Sequence, residues 1–115
     1  MKDKRGHRRH YIIAEANIKL FRDGSKWINT MLVNISKDGI GIYSKRPFKT
    51  REKIVVQIAF LEHKRLQIVE EINGTIRWAR QIGNNYAAGI MFDKIINKNN
   101  YPGLWMCIKY AKSNK

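Results

Sequence analysis

The sequence predicts an all-β fold: a small six-stranded antiparallel barrel of Greek-key-like order, with one C-terminal α-helix and a flexible basic N-terminal arm. Three observations carry that expectation. Apolar residues recur with a period of two along most of residues 11–93, the spacing of half-buried strands. Turn signals such as Asp23-Gly24 and Gly83-Asn84-Asn85 cut that stretch into strand-sized segments. Only after residue 99 does the apolar period lengthen to that of a helix. Short strands followed by a single helix fit a small barrel with the helix packed against it.

Residues 1–10 are polar and basic, with too little apolar material to offset the entropy of ordering, and read as an arm. Ile12, Ala14, Ala16, Ile18 and Leu20 then alternate as a first strand, and Asp23-Gly24 marks its hairpin. A second strand runs from Lys26 to about Asn34, and Lys37-Asp38-Gly39 reads as a turn. Ile40 and Ile42 mark a third strand, and Pro47 interrupts the connection to the next. Ile54 to Phe60 is a nearly continuous apolar strand, closed by the charged loop Glu62-His63-Lys64-Arg65. Leu66, Ile68, Ile72, Ile76 and Trp78 share one parity and read as one long strand, with Gly74 a candidate bend or bulge. Tyr86 to Phe92 is the last strand. Asn99 or Asn100 is placed to cap a helix with Pro102 in its first turn, and Tyr101, Leu104, Trp105, Ile108 and Ala111 share one helical face. One domain over residues 1–115 is expected: the arm at 1–10, the barrel at 11–93 and the helix at 100–112.

Composition narrows the function. The net charge is +14, from 23 Lys and Arg against 9 Asp and Glu, which favours an anionic partner without choosing among nucleotide, nucleic acid, acidic protein and membrane surface. The one cysteine, Cys107, has no intrachain partner and reads as a small packing residue. No apolar run approaches the ~20 residues of a spanning helix. No apolar region follows the basic start, so a cytoplasmic protein is expected. His7, His10 and His63 are too scattered for a metal site. Adjacent Glu70 and Glu71 point to opposite faces of a strand, which suits surface ion pairs better than acid–base work. With no phosphate-binding loop or nucleophile elbow either, no enzyme is expected.

Two motifs stand out. Arg5-Gly6-His7-Arg8-Arg9 spaces two arginines as R-x-x-x-R, about 13 Å apart if extended. Asn34-Ile35-Ser36-Lys37-Asp38-Gly39 comes later as N-x-S-x-x-G where a strand meets a turn. In this order they resemble the two halves of a PilZ domain, a family of receptors for the bacterial second messenger cyclic di-GMP. Asn34 stands where many members carry Asp, a recognised alternative. Gly39-Ile40-Gly41-Ile42-Tyr43-Ser44 is similar to the family's strand after the polar turn. Gly74-Thr75-Ile76-Arg77-Trp78 and Ala88-Gly89-Ile90-Met91-Phe92 are similar to its later strands. The likeness covers roughly residues 4–93.

The resemblance implies a receptor or adaptor that binds cyclic di-GMP and no other cofactor, changes the conformation of its arm on binding, and regulates a separate protein. Motility, pili, exopolysaccharide and virulence are the family's outputs, and the residues do not choose among them. By resemblance Arg5 and Arg9 clamp guanines and phosphates, with Lys4 and Arg8 as helpers. An arginine fork matches both the O6/N7 edge of guanine and a phosphate. Asn34, Ser36 and Gly39 supply an amide, a hydroxyl and room for close or positive-φ backbone. Trp78 matches a position where some relatives place a guanine-facing aromatic. Two other readings stay open at this level: a protein-interaction adaptor of the same fold that binds no nucleotide, and a basic small barrel for nucleic acid, with stacking aromatics in a charged groove.

Overall fold

The computed structural model describes residues 10–62 and 64–113, with the side chains of 10–13, 23–25 and 113 left aside. It contains strands β1 (His10–Leu20), β2 (Asp23–Ile35), β3 (Gly39–Ser44), β4 (Lys53–Glu62), β5 (Arg65–Ile68), β6 (Ile72–Ile82) and β7 (Asn85–Phe92), then helix α1 (Pro102–Ser113). The strands are antiparallel in the order β1-β2-β3-β7-β6-β4, and β4 returns to β1 from Ala14↔Phe60 to Leu20↔Ile54. That pairing closes a six-stranded barrel, and β5 is an extra strand on the edge of β4.

Period-two alternation builds the interior. Ala16, Ile18, Leu32, Ile40, Ile42, Ile54, Val56, Ile58, Ile72, Ile76 and Ile90 are all buried within it. Branched side chains at these positions fit a pleated, densely packed lining. Helix α1 packs on β1 and β4, burying Leu104, Cys107, Ile108 and Ala111. Tyr110 meets Phe60 with ring centroids 5.6 Å apart.

The structure moves three boundaries. The first hairpin turns at Phe21 and Arg22, because Leu20 already pairs with Asp23, and the Phe21 amide is held by the Lys53 carbonyl at 3.1 Å. Asp23-Gly24 opens β2 instead. The expected long strand is two strands on the same edge of β4. Lys53↔Thr75 to Val56↔Ile72 keeps one register, and Ala59↔Ile68 to Glu62↔Arg65 is displaced by one residue. A one-residue slip sends a strand's side chains to the other face. Leu66 and Ile68 are accordingly exposed, while Val69 turns inward and donates its amide to the Ile58 carbonyl at 3.0 Å. Finally, α1 is not capped by an asparagine. Asn97 and Asn100 close the preceding turn on each other, and Tyr101 supplies the first helical carbonyl, to Trp105. The amides of Gly103 and Leu104 are taken by the two oxygens of Glu70, at 2.8 and 3.0 Å. Glu70 thus serves as a helix cap borrowed from the β5–β6 break, rather than as a surface ion-pair partner.

Candidate functional site

The outer face of β2, β3, β7 and β6 gathers several of the singled-out residues. In antiparallel strands, directly paired residues point the same way. One row runs Asn34↔Gly41 between β2 and β3, Gly41↔Gly89 between β3 and β7, and Gly89↔Trp78 between β7 and β6. Three steps of ~4.8 Å make the row about 14 Å long.

Neither end of this row would face outward in an unbroken ladder. Leu32 and Ile76 point into the barrel, and Asn34 and Trp78 have the same parity as they do. The register shifts between Leu32 and Asn34 and between Ile76 and Trp78, so each strand carries one extra residue there. The extra residue turns Asn34 and Trp78 onto the outer face. On β6 the irregularity falls at Arg77, not at the expected Gly74.

The glycines make the floor. A Cβ on Gly89 would stand 2.1 Å from Nε1 of Trp78, so the indole lies across the space a side chain would fill. A Cβ on Gly41 would stand 2.8 Å from Nδ2 and 3.0 Å from Oδ1 of Asn34. The row is therefore paved by an indole and a carboxamide laid over two glycines. Trp78 remains 46% exposed, leaving an aromatic face open to solvent.

The polar corner next to this row is built for rigidity. The Ser36 amide donates to the Gly39 carbonyl at 2.9 Å, and the buried Ser36 hydroxyl donates to the Asp38 carboxylate at 2.5 Å. The Asp38 carbonyl accepts from Phe92 and the Lys37 carbonyl from Ile96, each at 2.8 Å, tying the corner to the end of β7 and the approach to α1. Gly39 is required by close approach rather than by a positive φ: a Cβ there would meet the Ile90 carbonyl oxygen at 2.1 Å. Lys37 turns away, its Nζ 5.2 Å from the ring centre of Trp105.

Asn34 and Trp78 thus share a face, and Ser36 and Gly39 shape the corner beside it. Lys4, Arg5, Arg8 and Arg9 lie outside the described residues, as do His7 and His63. Sequence reasoning missed Gly41 and the arginines around Trp78. Arg77 reaches Met91, its Nη1 3.8 Å from the sulfur, and the Arg80 guanidinium carbon is 5.9 Å from the Trp78 ring centre. The available signal was the run Arg77-Trp78-Ala79-Arg80, although nothing in it marks the register shift that turns the strand there. Among the described residues no three His, Cys, Asp or Glu side chains gather as metal ligands, and no helix is long and apolar enough to cross a membrane.

The PilZ domain model matches residues 3–100. No curated protein matches the sequence. Among solved structures, Bacillus subtilis inhibitor of motility, MotI/DgrA, superposes with a TM-score of 0.75 at 15% identity, covering 98% of this chain and 51% of that one. The chain therefore spans about half the length of that protein. The PilZ domain of Escherichia coli YcgR, solved with cyclic di-GMP, gives 0.65 at 10% identity over 98% of this chain and 99% of that one. The PilZ domain of CeSA from a cellulose-synthesising bacterium gives 0.59 at 13% identity, over 91% and 98%. At these identities the structural likeness speaks for the fold alone.

Proposed function

The chain belongs to the PilZ domain family, and from that premise we propose that it is a cyclic di-GMP receptor that rearranges its N-terminal leader on binding and thereby alters its contact with a separate partner protein. The observation that carries this reading is the outward display of Asn34 and Trp78 at the two ends of the glycine-floored row. An amide at one end offers a donor and an acceptor to a guanine, and an open indole at the other offers a stacking surface. The E. coli relative was solved with the same ligand. Because MotI is an inhibitor of motility, motility is the favoured output.

In this proposal Arg5 and Arg9, helped by Lys4 and Arg8, close on the ligand from the leader. Asn34 and Trp78 meet it from the barrel, while Ser36 and Gly39 hold the corner against which it rests. Ordering eight leader residues costs about 8–16 kcal/mol at 1–2 per residue. Each charge-assisted hydrogen bond returns only about 1.5–3 kcal/mol. One arginine contact is insufficient, so leader and corner must act together. The ligand shifts the protein only through its preference for the closed arrangement. The reading is one of binding, with no catalytic step.

Titration calorimetry with cyclic di-GMP tests it. Heat is expected with wild type and is expected to fall sharply in Arg9→Ala and Asn34→Ala. A silent wild type, or nuclear magnetic resonance shifts confined to the leader while residues 34–39 stay unmoved, overturns the proposal.

A further inference from the structure

Two guanidinium groups flank the open indole and belong to neither motif. The irregularity in β6 that turns Trp78 outward also leaves Arg77 exposed, lying toward Met91, the residue paired with Gly39. Arg80 is also exposed, and its row runs Arg80↔Ala87 and Ala87↔Tyr43, beside the Asn34–Trp78 row. The two arginines therefore reach the outer face on opposite sides of the ring. Among the described residues neither has a carboxylate partner; their neighbours are a thioether and the indole. Two unpaired cations beside an exposed aromatic surface match the chemistry of a phosphorylated purine.

We propose that Arg77, Trp78 and Arg80 form a ligand clamp on the barrel itself: a guanine stacks on Trp78, Arg80 closes over its outer face, and Arg77 pairs with a phosphate. The proposal rests on the cyclic di-GMP reading and adds contacts to it. The spacing suits the task. A base held between two flat groups needs about 7 Å, twice the ~3.5 Å contact distance of packed carbons. Arg80 stands 5.9 Å from the ring centre, so its long side chain has to withdraw by only about 1 Å. The strand backbone beneath need not move. Stacking accepts any base, so the clamp supplies affinity for a purine nucleotide, and the choice of guanine falls to groups that read its edge. The clamp also gives the folded barrel a hold on the ligand before the leader engages.

Calorimetry on the full chain separates this inference from the reading beneath it. Arg80→Ala should weaken cyclic di-GMP binding about tenfold or more, the usual size of a lost stacking contact. Arg80→Lys should recover little of that loss, because an ammonium keeps the charge but has no flat face. A variant lacking both Arg5 and Arg9 should still bind weakly, and adding Arg77→Ala and Arg80→Ala should abolish that remainder. Wild-type affinity in Arg80→Ala or in Arg80→Lys, while Asn34→Ala loses binding, overturns the clamp and leaves the receptor standing. No binding by wild type removes both.

Discussion

Gly39 and Gly89 both exclude a methyl group, but for different reasons and with different expected consequences. At Gly39 the obstacle is the Ile90 carbonyl oxygen, 2.1 Å from a Cβ, and backbone in the middle of a sheet cannot step aside. At Gly89 the obstacle is the Trp78 indole, which can leave by rotating off the sheet. Gly39→Ala should therefore cost about 3 kcal/mol or more in urea unfolding, the upper end for overpacking. Gly89→Ala should stay folded and lose binding. Its tryptophan emission should shift to the red, and its cyclic di-GMP affinity should fall about tenfold with the stacking surface displaced. Equal stability of the two variants would show that the space over Gly89 is as unyielding as that behind Gly39.

Among the elements, the strands were legible in the sequence and their slips were not. Ile54 to Phe60 and Tyr86 to Phe92 announce themselves as short apolar runs bounded by turn signals, and the helical face from Leu104 to Ala111 by its period. The single extra residues in β2 and β6 leave no mark in composition, yet they decide that Asn34 and Trp78 look outward. The slip between β5 and β6 likewise leaves Leu66 and Ile68 exposed although they share the parity of the buried Ile72 and Ile76. A pattern of polar and apolar residues reports which face a side chain takes only while the ladder is unbroken. The motif Asn34-x-Ser36-x-x-Gly39 was readable as a corner. Its depth was not, because the corner is closed by the end of β7 and the segment after it, which arrive from later in the chain. The helix cap shows the same limit. Asn99 and Asn100 looked like caps because caps are usually local, whereas Glu70 reaches the helix from 33 residues away. Glu70→Ala leaves the Gly103 and Leu104 amides without their carboxylate. It should destabilise the protein by about 1–2 kcal/mol, the range for a lost cap. Hydrogen exchange should quicken first in α1. Glu70→Gln, keeping one acceptor oxygen, should fall between; unchanged unfolding in both variants would remove Glu70 as the cap.

At the scale of the whole molecule, the closed barrel and its helix share one sealed interior, and Cys107 reports on the seal. It sits on the buried face of α1, which packs on β1 and β4. Burial, assisted by the negative charge of Glu62, pushes its thiol from 9.0 up to about 12. The folded chain therefore keeps this proton where the unfolded chain gives it up. Below pH 9 both forms hold the proton and the thiol adds no pH dependence. As pH rises from 9 toward 12 the unfolded state binds fewer protons, so stability must fall. At pH 10 the loss amounts to about 1.4 kcal/mol, the value of one unit above the unfolded thiol's titration. The measurement is a comparison of two chains that differ only at the thiol. Urea unfolding of wild type and Cys107→Ala at pH 7.5 and pH 10 should show wild type losing about 1.4 kcal/mol of its advantage. The native thiol should also resist a disulfide reagent until the protein unfolds, because the thiolate is the reacting form. An advantage that stays constant with pH, together with rapid labelling of the folded protein, would mean that α1 does not close the interior as a unit with the barrel.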